Sequence, residues 1–472
     1  MPVPGPVPVP GAGRRGPAPV GRYGGAREGE GRMTSASENR ERRVVTDILS
    51  ELKSRDLVAL STDEEALSQA LDAGPINFYI GFDPTAPSLH MGNLVQLLFA
   101  RRLQQAGHNP FALVGGATGL IGDPRMSGER TLSEREVVEG WVERIRSQIE
   151  RFLDFDGPHA AQVVNNLDWT GGLGAIDFLR DIGKHFSVNR MLAKETVSAR
   201  LNSEHGISFT EFSYQILQAH DFLQLYRRHD VVLQHGGSDQ WGNLTAGTDL
   251  VRRVERVSAH AMATPLMTKA DGTKFGKTES GTVWLDPELT SPYAFSQFWL
   301  NADDRDVVKY LKVFSLRPLA EIEQIAADFA AAPHQRLAQR VLAEDATTLV
   351  HGAQQTRQAF AAAEALFGSG ALAELEPATL DAATRELPTA EVPAAEVSAG
   401  LPVIDAFAAA GIVKSKGEAR RAAKDGGAYV NNVKVAAEDQ VLTSADVLDA
   451  GEAGVILLRR GKKTLGAVRV TG

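Results

Sequence analysis

From about residue 42 to residue 287, short β-forming runs alternate with helical runs, and few folds accommodate that rhythm. Residues 77–82 (NFYIGF), 111–114 (FALV), 162–165 (QVVN) and 231–234 (VVLQ) read as buried strands. Residues 94–105 and 134–153 read as helices between them. In the second, Val137, Val138, Trp141, Ile145, Ile149 and Phe152 recur near one face. Strand, helix, strand at this spacing predicts an α/β fold built on a parallel, doubly wound sheet of Rossmann type. Such sheets bind ligands beyond the carboxyl ends of their strands, so chemistry is expected at the strand exits.

After residue 287 the strands stop, and residues 293–300, 306–314, 319–331 and 336–350 read as helices. A chain of 472 residues exceeds one ordinary domain. The expected division is a disordered N-terminal extension (1–40), a catalytic domain (41–285), an all-helical domain (286–366), an acidic linker (367–399) and a small α+β domain (400–472). The extension is rich in Pro, Gly and Arg up to about residue 32 and offers nothing to bury. Pro2, Pro4, Pro6, Pro8 and Pro10 interrupt the apolar stretch a signal peptide needs, and Met33 opens a more ordinary start.

Charge is uneven. Residues 367–398 hold six acids against one base, whereas eleven lysines and arginines face eight acids from residue 400 onward. A basic tail on a body of net charge −9 predicts that the tail, not the whole surface, meets something anionic. The chain has no cysteine, which excludes disulfides, thiol nucleophiles and Cys-ligated zinc and fits a cytoplasmic protein. No apolar run approaches the length of a membrane span.

Two segments are built to hold phosphate. The first strand runs out as Tyr79-Ile80-Gly81-Phe82-Asp83-Pro84-Thr85, and a helix is expected to start at His90-Met91-Gly92-Asn93. A helix start aims backbone N–H groups at an anion. His90 and Asn93 share one face of its first turn and both can donate to phosphate oxygens, and Gly92 admits a close ligand. A capping histidine is the alternative for His90 alone. The second segment is Lys269-Ala270-Asp271-Gly272-Thr273-Lys274-Phe275-Gly276-Lys277-Thr278, a basic, glycine-bearing loop. Its lysines can stabilise charge growing on a leaving pyrophosphate, although solvated basic loops are common.

Together the segments resemble the paired His-Ile-Gly-His and Lys-Met-Ser-Lys-Ser signatures of the class I aminoacyl-tRNA synthetases. Here they stand as His-Met-Gly-Asn and Lys-Phe-Gly-Lys-Thr, variants of the bacterial-type tyrosine enzymes. The resemblance runs from about residue 44 to residue 350. It implies ATP, L-tyrosine and tRNA(Tyr) as substrates, Mg2+ arriving with ATP, no dedicated metal site, no tightly bound cofactor, a homodimer, and no membrane or DNA partner. His90, Asn93, Lys274, Lys277 and Thr278 would be catalytic. Gly81, Asp83, Thr85, Gly92, Gly237 and Asp239 would join His90 and Lys277 around ATP. A helix cap accounts for Asp239 nearly as well.

For the amino acid, the resemblance points to Asp123, Tyr214 and Gln218 at the ammonium group and to Tyr79 with Asp221 at the phenolic hydroxyl. Gln240 would meet the amino-acid end of the adenylate. Tyr214, Gln218 and Asp221 are spaced to line one helix face. The region around residues 183–189 and Phe209 corresponds to the family's dimer interface. Arg125-Met126-Ser127-Gly128-Glu129-Arg130 departs from the family's Ser-Gly-Lys pattern. The tail resembles an αL-type RNA-binding fold shared with a small-subunit ribosomal protein. Ser415 is expected to cap a helix with Glu418, presenting Lys414, Lys416, Arg420, Arg421 and Lys424 to RNA. The rivals are a tryptophan enzyme of the same class and a non-catalytic RNA-binding protein on the same body.

Overall fold

The computed structural model describes residues 47–125, 128, 132–204, 206–278, 281–367, 371–461 and 464–472. The expected N-terminal extension therefore lies outside the described residues, as do Met126, Ser127, Glu129 and Arg130 of the variant loop.

The longer elements of the first half are α1 (Ile48–Ser54), β1 (Leu60–Ser61), α2 (Glu64–Ala73), β2 (Asn77–Phe82), α3 (Met91–Gln105), β3 (Asn109–Val114), α4 (Arg135–Ile149), β4 (Gln162–Asn165), α5 (Phe209–His229), β5 (Val231–Gly237), α6 (Trp241–Glu255) and β6 (His260–Thr264). They form one six-stranded sheet in the order β1-β6-β5-β2-β3-β4. All its pairs are parallel except β1 with β6. The chain winds outward in one direction from β2 and in the other from β5, so the crevice between their carboxyl ends is the switch point where a ligand is expected.

Two departures from the sequence reading have simple causes. β6 went unpredicted because five residues opening on a histidine show no period. In α4, Val138, Val142, Ile145 and Ile149 are buried, whereas Val137 is exposed. Residue 137 lies a hundred degrees off that stripe, and the helix ends before Phe152.

His235 on β5 stacks on Phe99 of α3, ring centroids 3.5 Å apart and ring planes nearly parallel. It is buried, neither ring nitrogen has a hydrogen-bond partner, and desolvation pushes its pKa down to about 3. The fold thus favours the neutral ring, while the unfolded chain takes up a proton near pH 6.5. Stability contributed by this site is present above about pH 6.5 and is lost as pH falls toward 3. His220 and His351, both lowered to about 4, act in the same sense. A His235→Gln variant is expected to flatten the fall of unfolding free energy with acidity, the slope dropping by up to about 1.4 kcal/mol per pH unit between pH 6 and 4. An unchanged slope in urea titrations would remove His235 from the acid response.

Five helices follow: α7 (Pro292–Leu300), α8 (Val307–Phe314), α9 (Leu319–Ala331), α10 (Leu337–His351) and the unpredicted α11 (Ala353–Leu366). Ser291 caps α7 through Ala294 N–H, and Pro292 occupies the first helical position, where its missing N–H costs nothing. The core of these helices is continuous with that of the sheet. Arg55 and Arg102, both buried, donate to carbonyls at the end of α8: Arg55 to Lys312, Ser315 and Arg317, Arg102 to Val313 and Ser315.

The acidic stretch expected as a linker is folded. It holds α12 (Pro377–Arg385), β7 (Thr389–Pro393) and α13 (Ala394–Gly400). After it come α14 (Val403–Ala409), α15 (Lys416–Lys424), β8 (Ala428–Val430), β9 (Val433–Lys434), β10 (Gly454–Arg460) and β11 (Thr464–Thr471). β7 pairs in parallel with β11 and forms an edge of the tail's sheet. Leu372, Leu375, Leu380 and Ala383 pack on Val455, Leu457, Leu465 and Ala467. The net charge concealed this, because most of the acids sit on the outer side of a normal apolar stripe, and Asp381 pairs with Arg469 and Arg385.

Candidate active site

The deep end of the site lies where α5 passes the exits of β2 and β4. Asp221 is buried and accepts hydrogen bonds from Trp169 Nε1 (2.8 Å) and Asn166 Nδ2 (3.0 Å). Burial raises its pKa to about 7 against the pull of those two donors. Tyr79 of β2 is buried close enough for the Asp221 charge to raise its pKa further, beyond the large effect of burial. Its hydroxyl has no hydrogen-bond partner. A desolvated hydroxyl without a partner beside a carboxylate is costly, and a ligand carrying one more hydroxyl satisfies both groups.

Two turns back along α5, Tyr214 donates to Asp83 Oδ2 (2.6 Å). Thr118, after β3, donates to the other oxygen of Asp83 (2.6 Å). A Cβ on Gly115 would fall 2.2 Å from Asp83 Oδ1, so only glycine permits this approach of the β2 and β3 exits. Gln218 Oε1 is buried without a partner, an acceptor facing the same face of the helix as Tyr214 and Asp221. Asp123 accepts from Gln240 Nε2 (2.8 Å) and Asn243 Nδ2 (3.2 Å), with Lys194 Nζ 3.9 Å away. Gln240 thus reaches the site through Asp123.

The phosphate side is set by the start of α3. His90 is its N-cap: Nδ1 accepts from Gly92 N–H (3.1 Å), and Asn93 Oδ1 accepts from His90 N–H (3.0 Å). Both of the readings held open for His90 are therefore compatible, since capping through Nδ1 places the proton of the neutral ring on Nε2. Desolvation, together with the charge of Lys277, lowers the His90 pKa, so the ring is neutral at pH 7. The residues after the lysine loop are stitched to this turn and back to the loop: Leu285 N–H donates to Leu89 O (2.9 Å), and Val283 N–H to Gly276 O (3.0 Å). Lys274, Lys277 and Thr278 are exposed, as are Gly81 and Thr85. Asp239 is exposed at the start of α6, and no side chain caps either helical turn there, so capping does not account for it. A Cβ on Gly237 would lie 2.5 Å from Asp239 Oδ1.

Sequence reasoning missed Asn166, Trp169, Thr118, Asn243 and Lys194. Asn166 follows the exit of β4, and the rule that drew attention to the exits of β2, β3 and β5 applies there equally. Lys194 carried no such signal, because it arrives from a segment between α4 and α5. In the tail, Ser415 caps α15 through Glu418 N–H, and the Glu418 carboxylate accepts from Lys414 N–H (2.7 Å). Lys414, Lys416, Arg420, Arg421 and Lys424 are all exposed, with Lys416 paired to Asp405.

Among the described residues, no group of three His, Cys, Asp or Glu side chains is placed to hold a metal, and no helix is long and apolar enough to cross a membrane.

Comparison with known proteins places this arrangement. The family model of class I tRNA synthetases for W and Y matches residues 71–368, and the chain belongs to that family. A second, for the C-terminal domain of Tyrosine--tRNA ligase, matches residues 382–467. The chain is 64% identical over 429 residues to Tyrosine--tRNA ligase of Streptomyces avermitilis, covering 91% of this chain and 100% of that one. It is 57% identical to that of Kineococcus radiotolerans, covering 90% and 99%. A truncated mitochondrial tyrosyl-tRNA synthetase from Coccidioides posadasii superposes with a TM-score of 0.59 at 29% identity, covering 66% of this chain and 91% of that one. Within the class I family the chain belongs with the tyrosine–tRNA ligases.

Proposed function

We propose that this chain attaches L-tyrosine to tRNA(Tyr) in two steps, with the residues above in the following roles. The tyrosine carboxylate attacks the α-phosphate of ATP, the bond to pyrophosphate breaks, and tyrosyl-adenylate forms. A hydroxyl of the tRNA 3′ end then attacks the tyrosyl carbonyl, and AMP leaves. No side-chain nucleophile is needed; rate comes from placement and from donors that grip the transition state more strongly than the ground state.

Tyrosine's ammonium is held by Asp123, the Tyr214 oxygen and Gln218 Oε1. Its phenolic hydroxyl donates to Asp221 and accepts from Tyr79. His90 Nε2 and Asn93 Nδ2 serve the phosphates, and Lys274, Lys277 and Thr278 meet the departing pyrophosphate. Gly81, Asp83, Thr85, Gly92, Gly237 and Asp239 frame the nucleotide, with Asp239 toward the ribose. Magnesium enters as the ATP complex. The exposed basic side chains of α15 take tRNA phosphates, and the cytoplasm supplies all three substrates.

The carrying observation is the buried, unpartnered Tyr79 hydroxyl beside Asp221, which suits a phenol that both donates and accepts, whereas an indole N–H can donate to Asp221 but cannot accept from Tyr79. Pyrophosphate–ATP exchange run with tyrosine, with tryptophan and with no amino acid tests it. Exchange is expected with tyrosine alone; exchange with tryptophan at a comparable rate, or none at all, defeats the proposal.

A homodimer fits the apolar surface before and at the start of α5. Ile176 and Phe209 are 72% and 73% exposed, with Leu179 and Val188 also exposed. Large apolar side chains left exposed within one stretch are what a partner's surface would cover. A Phe209→Glu variant is expected to sediment as a monomer at concentrations where the parent is a dimer. A dimer mass retained in the variant would assign the interface elsewhere.

A further inference from the structure

The lysine loop is held at three points, and two of them belong to the helical segment. Phe275, between Lys274 and Lys277, inserts its ring among four aromatic side chains of α7 and α8. The centroid distances are 4.9 Å to Tyr310, 5.4 Å to Phe314, 5.6 Å to Phe298 and 5.9 Å to Trp299. At the loop's other end, Ala270 N–H donates to Asp306 Oδ2 at the start of α8 (2.8 Å). The third point is the His90 turn. Gly276 has φ +75°, and a Cβ there would fall 2.8 Å from the Cβ of Met91, the first residue of α3.

These contacts close a circuit. α3 begins at Met91 against Gly276. Near its end, Arg102 grips the last carbonyls of α8, with Arg55 beside it. α8 returns to the loop through Tyr310, Phe314 and Asp306. A cavity of about 1250 Å³ opens beside Phe275, lined by Tyr293, Asp306, Tyr310, His351 and Arg385 among others.

We infer that Phe275 is a positioning residue for adenylate formation: its ring docks the lysine loop on α7 and α8, and so fixes Lys274 and Lys277 relative to His90. The inference rests on the pyrophosphate role proposed above for those lysines. It assigns the helical segment a part in the first step, because any tilt of α8 against α3 shifts the seat of Phe275. Side-chain pairs of this kind favour offset or edge-on rings and resist sliding, which suits a plug that must return to one place. Misplacement of charged groups by about an ångström costs about a hundredfold in rate even when every group is present.

The test is single-turnover adenylate formation by the full chain, each rate expressed per titrated active site so that an unfolded fraction does not count. Phe275→Ala is expected to slow the step by about a hundredfold while tyrosine affinity, measured separately at equilibrium, stays within about twofold. Phe275→Leu, which refills most of the apolar seat, is expected to recover most of the rate. Asp306→Ala, which unties Ala270 and removes the carboxylate beside the Tyr310 hydroxyl while leaving all four rings in place, is expected to slow the same step to a lesser degree. A Phe275→Ala rate within about threefold of the parent, or an equal loss of tyrosine affinity, overturns the inference. Failure of the parent chain itself to exchange pyrophosphate with tyrosine would instead sink the functional reading beneath it.

Discussion

Replacing Lys277 with alanine is expected to slow adenylate formation by about a hundredfold to a thousandfold and to leave tyrosine binding nearly unchanged. The reason lies in where the charge sits. Lys277 is exposed, its backbone carbonyl accepts from Lys269 Nζ (3.3 Å), and its ammonium is near enough to His90 to lower that ring's pKa. The tyrosine-side groups, Asp123, Tyr214, Gln218 and Asp221, belong to other elements and keep their surroundings in the variant. What is lost is a charge that meets pyrophosphate as its bond breaks, which is an interaction with the transition state and not with tyrosine. Lys277→Arg is expected to recover only part of the rate, because a planar guanidinium fork does not occupy the place of a compact ammonium. Rapid-quench measurement of the first turnover, with tyrosine affinity taken from equilibrium binding, separates the two quantities. An unaltered rate would refute the loop's part in chemistry.

How much of this was legible in the sequence depends on the scale of the signal. The parallel sheet was, because each of β2 to β5 carries a short apolar stretch that runs out at Asp83, Gly115, Asn165 or Gly236, and alternation with helices leaves one architecture. The spacing of Tyr214, Gln218 and Asp221 was also enough to put them on one face of α5. The groups that make Asp221 useful were not. Trp169 and Asn166 come from a different strand exit, and nothing local says that their N–H groups converge on one carboxylate. The folded state of residues 371–399 was hidden for a different reason: proline, alanine and acid dominate the average, while the four apolar side chains that decide the matter are diluted among them. Likewise Phe275 reads as one apolar residue in a basic loop, and only the arrival of α7 and α8, with Phe298 to Phe314 lying 23 to 39 residues onward, gives it a seat.

Asp221→Ala is expected to cost tyrosine most of its affinity and phenylalanine little, so that discrimination between the two collapses. The parent carboxylate accepts from Trp169 and Asn166 and stands beside the Tyr79 hydroxyl. Removing it leaves those donors buried without an acceptor whichever amino acid binds, at about 1–3 kcal/mol for each group that water cannot reach. For phenylalanine nothing further is lost, since its ring made no hydrogen bond to the carboxylate. For tyrosine the hydrogen bond to the carboxylate disappears as well. Asp221→Asn keeps the shape but turns an amide N–H toward one of the two donors, so it is expected to fall between parent and alanine. The same carboxylate sets a pH dependence. Because burial holds its pKa near 7, it is increasingly protonated below that value, and a protonated oxygen no longer accepts the phenolic hydrogen. Tyrosine affinity is therefore expected to fall as pH drops from 8 toward 6, by up to about tenfold per unit below 7, and the dependence is expected to vanish in Asp221→Asn. Equilibrium binding of both amino acids to the three proteins across that range decides the matter. If Asp221→Ala still rejects phenylalanine as firmly as the parent does, the hydroxyl is read elsewhere.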